Sequence, residues 1–117
     1  MIDYLKKMTE RYPALEAVSV DVKNAYSILC RAYEQEGKLL VCGNGGSASD
    51  SEHIVGELMK GFYKLRPLTG KEKEAMGEWG VHLQGALPAI ALTGHPALAT
   101  AFLNDVNPEM VFAQQVY

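Results

Sequence analysis

Residues 38–53 read Lys38-Leu39-Leu40-Val41-Cys42-Gly43-Asn44-Gly45-Gly46-Ser47-Ala48-Ser49-Asp50-Ser51-Glu52-His53, and this order of residue types decides the fold. Lys38 to Cys42 is a short, mostly apolar run with no polar alternation, bounded by Gly37 and Gly43. Such a run is expected to be a strand covered on both faces, as the strands of parallel sheets are. The glycine-rich turn after it leads into a helix expected over about 47–61. A second run, Ala86 to Thr93 (ALPAIALT), repeats the pattern, with Pro88 near its start, where a missing donor costs least. Pro96 to Leu103 reads as a short helix. Asn107-Pro108-Glu109 then starts another: cap, proline at the first helical position, acid in the first turn. Alternating helices and strands imply an α/β class with a parallel sheet. Two strands make a poor sheet, so the pattern is that of the opening half of an α/β domain, or of a fold that a dimer completes.

Upstream, residues 2–12 form an amphipathic pattern on Ile2, Leu5 and Met8. From Pro13 a second helix is expected, with Leu15, Val18, Val22, Ala25, Leu29 and Ala32 at intervals of three and four. Gly37 is the expected left-handed cap at its end. Tyr26, Cys30 and Tyr33 widen this apolar surface, which either packs internally or pairs with a second subunit. The expected division is therefore 1–37, helices for packing or oligomerisation, and 38–117, the α/β part. Within the latter, a connection at about 62–85 is rich in Lys, Glu and Gly, with Trp79 as its expected anchor. The C-terminal NPEMVFAQQVY reads as the middle of a helix, so 117 residues is the expected length of a fragment.

Composition narrows the classes. The chain is 48% hydrophobic, enough for one compact core, and its net charge of −3 argues against nucleic-acid binding. No apolar run approaches the ~20 residues that span a bilayer, and the N-terminus lacks a signal-peptide core. Cys30 and Cys42 both fall in segments expected to be buried, which suits a reduced, cytoplasmic protein.

The chemistry is concentrated in the strand–turn–helix. Glycines let bare N–H groups approach a ligand, and the helix adds unpaired donors and the positive end of its dipole. With Asn44, Ser47 and Ser49 as neutral donors, the natural guest is anionic or polyhydroxylated. The plainer alternative is a tight turn with Ser47 or Ser49 as N-cap. Neither a dinucleotide fingerprint nor a phosphate-binding Gly-Lys-Ser/Thr is present. His53 and Glu57, four apart, share a helix face about one turn above the loop. They could be two ligands of a divalent metal, an acid–base pair, or an ordinary exposed pair. Glu52 should face elsewhere, and His82 and His95 have no partner at metal spacing.

The segment VCGNGGSASDSEHIVGELMKGF, followed by LPAIALT, AFLND and EMVFAQQV, resembles the phosphoheptose isomerases of the sugar isomerase (SIS) domain superfamily. That resemblance implies the N-terminal part of a flavodoxin-like doubly wound parallel sheet, assembled as a homotetramer. It implies conversion of sedoheptulose 7-phosphate to a heptose 7-phosphate, feeding the nucleotide-activated heptose of surface polysaccharide. Asn44, Gly45, Gly46 and Ser47 would contact the sugar phosphate, as would Asn104 and Asp105. His53 and Glu57 would bind Zn²⁺, and Glu57 would also be the base. A basic residue usual at position 61 is Gly61 here, beside Lys60. The family's later phosphate loop and its remaining metal ligands have no counterpart in the chain, so little turnover is expected of these 117 residues alone. A non-catalytic SIS-type protein that contacts a partner or senses a sugar phosphate is the alternative.

Overall fold

The computed structural model describes residues 3–117, so Ile2 of the first apolar pattern lies outside the described residues. The chain divides into two compact units, Met1–Gly37 and Lys38–Tyr117.

In the first unit, α1 (Tyr4–Arg11) starts where the Asp3 carboxylate accepts the Lys6 N–H at 3.0 Å. Pro13–Val18 is a 3₁₀ turn rather than the start of the long helix, and α2 follows as Ser19–Glu34. The end of α2 corrects the expected cap. The left-handed residue is Glu36, at φ +57°, and not Gly37. Glu36 N–H donates to Tyr33 O at 3.1 Å and Gly37 N–H to Ala32 O at 2.8 Å, the paired bonds of a Schellman ending. Gly37 is needed for a different reason: a Cβ there would lie 2.8 Å from Ala32 O. The apolar stripe stays open, with Val18 42% and Val22 40% exposed.

In the second unit, β1 (Leu39–Val41) and β2 (Ala89–Ala91) pair in parallel, Leu40 opposite Ile90. The α/β class with a parallel sheet is thus observed. Between the strands lie α3 (Gly46–Met59) and α4 (Gly70–Ala75); α5 (Pro96–Asp105) and α6 (Val111–Val116) follow. The expectation of strands covered on both faces fails. Ala89 is buried and α3 packs on β2, whereas Leu40 and Ile90 remain 37% and 43% exposed on the opposite face. Side chains alternate along a strand, so the face away from α3 is the more exposed one.

The expected compact core is also small. Among the described residues the buried apolar side chains are Ala89, Leu92 and Val111. Most other large apolar groups among the described residues are at least partly exposed. The cysteines follow suit: Cys30 is half-buried and Cys42 exposed, both as free thiols.

The connection has an order of its own. Thr69 and Glu72 form a capping box at the start of α4, and Gly77–Val81 is a 3₁₀ turn. Trp79 does not anchor it, being 67% exposed. Arg66 does. Its Nε donates to Gly85 O at 2.7 Å and its Nη2 to Leu58 O at 2.5 Å, while Gly85 N–H returns to Arg66 O at 2.7 Å. An antiparallel bridge between Pro67 and Gln84 closes the base of the excursion.

Candidate active site

The two strands are parallel, so the loop after β1 and the turn after β2 leave the same edge of the sheet. Leu92 N–H donates to Val41 O at 2.8 Å, carrying the pairing up to that edge. Such carboxyl edges are where open α/β sheets form ligand crevices.

Two glycines make the loop. Gly45 takes φ +57° and ψ −124°, a region closed to side-chain-bearing residues, and stands as the N-cap of α3. A Cβ on Gly43 would collide with the carbonyl and side chain of Ser47, so strand end and helix start can approach only with glycine there. Neither Ser47 nor Ser49 caps the helix, because the helix begins at Gly46 and no side chain caps it. The turn uses the Ser47 amide on Asn44 O and the Ala48 amide on Gly45 O, both at 3.1 Å. Among the amides it leaves unused are those of Gly45 and Gly46, at the positive end of the helix. Around Gly46 a Cβ would meet nothing within 4 Å. Below the loop, the buried Ser51 hydroxyl donates to Ser47 O at 2.7 Å and ties the first turns together.

His53 and Glu57 stand together as an i, i+4 pair, Nε2 to Oε1 at 4.0 Å. Their side chains are 79% and 52% exposed, on a face of α3 turned away from the buried Ser51. With α3 beginning at Gly46, His53 lies about two helical turns from the loop and Glu57 about three, farther than one turn. Glu52 was expected to face elsewhere, yet it is the residue that reaches the sheet edge: it accepts the Thr93 hydroxyl at 3.0 Å. Nothing in its neighbourhood in sequence signalled that bond, since Thr93 is 41 residues away.

Asn104 and Asp105 end α5, where Asn104 Nδ2 donates to Asp105 Oδ1 at 2.9 Å. Among the described residues neither bonds to the 43–47 loop. Asn104 is eight residues past Pro96, about 12 Å of helix rise. Gly61 is buried, and a Cβ there would run into the Lys64 carbonyl, so this backbone admits no basic side chain at that position. His82 and His95 are exposed.

A zinc ion requires three or four ligands. His53 and Glu57 offer two, and no cluster of three His, Cys, Asp or Glu side chains occurs among the described residues. The residues present therefore fit half of a zinc site and not a whole one. No helix among the described residues is long and apolar enough to cross a membrane.

The chain is similar to known proteins. The chain is 35% identical over 103 residues to the phosphoheptose isomerase of Alkalilimnicola ehrlichii, matching 88% of this chain and 43% of that protein. With the phosphoheptose isomerase of Crocosphaera subtropica it shares 39% identity over 95 residues, 81% of this chain and 39% of the relative. The chain thus spans less than half the length of these curated relatives. The solved structure of phosphoheptose isomerase GmhA from Neisseria gonorrhoeae superposes with a TM-score of 0.57 at 30% identity. That match covers 97% of this chain and 46% of the other. The SIS domain family model matches residues 3–113. On that match the chain belongs to the SIS domain family.

Proposed function

We propose that the chain is part of an aldose–ketose isomerase acting on a sugar phosphate, with sedoheptulose 7-phosphate as the preferred substrate. The carrying observation is the loop at the carboxyl edge of β1, where Gly45 holds φ +57° and α3 starts without a side-chain cap. A phosphate or sugar hydroxyl finds there the bare amides of Gly45 and Gly46 and the helix dipole. Resemblance to proteins named phosphoheptose isomerase supports the substrate class.

In this reading Asn44, Gly45, Gly46 and Ser47 hold the phosphorylated sugar, with Asn104 and Asp105 as further contacts. Glu57 is the base. It takes a proton from C1 of the ketose and returns one to C2, while a hydroxyl proton passes from O1 to O2, so no oxidant or reductant enters. His53 beside it orients the carboxylate. Zn²⁺ belongs to the same proposal: His53 and Glu57 would be two of its ligands, and it would supply polarisation of the carbonyl when bound. Because two donors fall short of a full site, no step is assigned to it. Assembly as a homotetramer and a cytoplasmic location belong to the proposal too.

The deciding experiment takes the full-length gene product, supplies Zn²⁺ and sedoheptulose 7-phosphate, and follows aldose formation in wild type and Glu57→Gln. Loss of turnover with binding retained is the expected result for the substitution. Undiminished turnover in Glu57→Gln removes the assigned base. Binding without any turnover in wild type moves the reading to a sugar-phosphate sensor, and absence of binding moves it to a protein-contacting member of the family.

A further inference from the structure

One side-chain hydrogen bond crosses from α3 to the turn after β2: Thr93 Oγ1 donates to Glu52 Oε1 at 3.0 Å. Both ends stand next to well-held residues. Glu52 follows Ser51, which is 2% exposed and bonded to Ser47 O of the glycine turn at 2.7 Å. Thr93 follows Leu92, which is 6% exposed and bonded through its N–H to Val41 O at 2.8 Å. The bond therefore joins two rigid points, one tied to the loop after β1 and the other to the end of β2. An ionised acceptor makes such a bond stronger than a neutral pair. Because Glu52 is exposed, it adds little to global stability, and its effect falls on local geometry.

We propose that Glu52 and Thr93 are positioning residues, which fix the 43–47 loop against the 93–95 turn and so set the width of the crevice between them. The proposal rests on the sugar-phosphate reading above for what the crevice admits, but the positioning itself is measurable without a ligand. Thr93→Val removes the hydroxyl and keeps the shape. Thr93→Ser keeps the hydroxyl. Glu52→Gln keeps an acceptor and removes the charge.

The test is amide hydrogen exchange by NMR on the full chain, with a parallel titration of sedoheptulose 7-phosphate. In Thr93→Val, exchange at 44–48 and at 93–95 should accelerate together by about three- to tenfold, the worth of one hydrogen bond. Thr93→Ser should stay within about twofold of wild type, and adding Glu52→Gln to Thr93→Val should change little more, since the donor of the one contact is already gone. Sugar-phosphate affinity should fall by the same factor in Thr93→Val. Acceleration confined to 93–95, or spread evenly over the whole unit with a lowered thermal midpoint, overturns the positioning role. A wild type that binds no sedoheptulose 7-phosphate removes the sugar-phosphate reading, and the exchange pattern still decides the role of the pair.

Discussion

Arg66 and Leu58 meet across the foot of the 67–84 excursion, the guanidinium Nη2 donating to the Leu58 carbonyl at 2.5 Å. Leu58 lies in the last turn of α3, where carbonyls lack helical partners and a cation is favoured. The same carbonyl accepts Leu87 N–H at 3.0 Å, so helix end, excursion and approach to β2 share one acceptor. Arg66→Leu should cost about 2 kcal/mol, because charge-assisted bonds are lost and the Gly85 carbonyl loses its side-chain donor. Arg66→Lys should recover less than half, since an ammonium cannot span two carbonyls as the planar fork does. Urea unfolding checks both, and an unchanged midpoint in Arg66→Leu would remove the clasp.

The glycines of the loop separate folding from binding. Gly43→Ala forces a Cβ into Ser47 and should lower the thermal midpoint, in line with the ~1–3 kcal/mol of other overpacked sites. Gly46→Ala meets nothing within 4 Å and sits inside the first turn of α3, where alanine is the better helix former. Its midpoint should be unchanged or raised. If the phosphate lies over this amide, the added methyl stands between them, and sugar-phosphate affinity should fall about tenfold or more. Equal binding by Gly46→Ala and wild type would put the ligand elsewhere.

Much of this was readable before any coordinates. The strand–glycine loop–helix order follows from an apolar run, glycines where a positive φ and a close approach are needed, and a helix behind them. What sequence could not supply depends on distant partners. Arg66 looks like any surface cation until Gly85 and Leu58 are beside it, and Glu52 finds Thr93 only through the parallel register of β1 and β2. Burial differs for the same reason: apolar periodicity says which face wants cover, not how much cover is there, and Leu40 and Ile90 stay partly exposed. The cap after α2 was misassigned by one residue because glycine is the usual left-handed residue, whereas here Glu36 takes that conformation and Gly37 the tight approach. Thr69-Gly70-Lys71-Glu72 is a capping-box sequence inside the segment expected only as a connection, and it starts α4 there.

That box makes α4 sensitive to acid. The backbone and hydroxyl of Thr69 hold the Glu72 carboxyl below its ordinary value of 4.5. A lowered folded-state pKa means the stabilisation is complete above the unfolded value and is lost as pH falls through the folded one. Exchange of the α4 amides, taken relative to the intrinsic rate at each pH, should therefore rise below about pH 4.5 and not between pH 6 and 8. Thr69→Ala should raise it at neutral pH by about fivefold, the effect of losing a cap. A flat profile from pH 7 to pH 3 in wild type would show that the box contributes nothing.

His53 and Glu57 carry the metal proposal, and their exposure makes it testable without reference to turnover. Held 4.0 Å apart with side chains 79% and 52% exposed, they form a pair that contributes little to the fold. His53→Ala and Glu57→Gln should therefore each move the unfolding free energy by less than about 0.5 kcal/mol. Zinc affinity is a separate matter. Two ligands on adjacent turns still gather a cation better than one, so each substitution should weaken Zn²⁺ binding by about tenfold or more, at least ~1.4 kcal/mol of ligand contact. Competition with a chromophoric chelator measures this directly. Affinity that is the same in wild type and both variants would place any bound zinc away from the pair, and would leave Glu57 to act, if it acts, as a base alone.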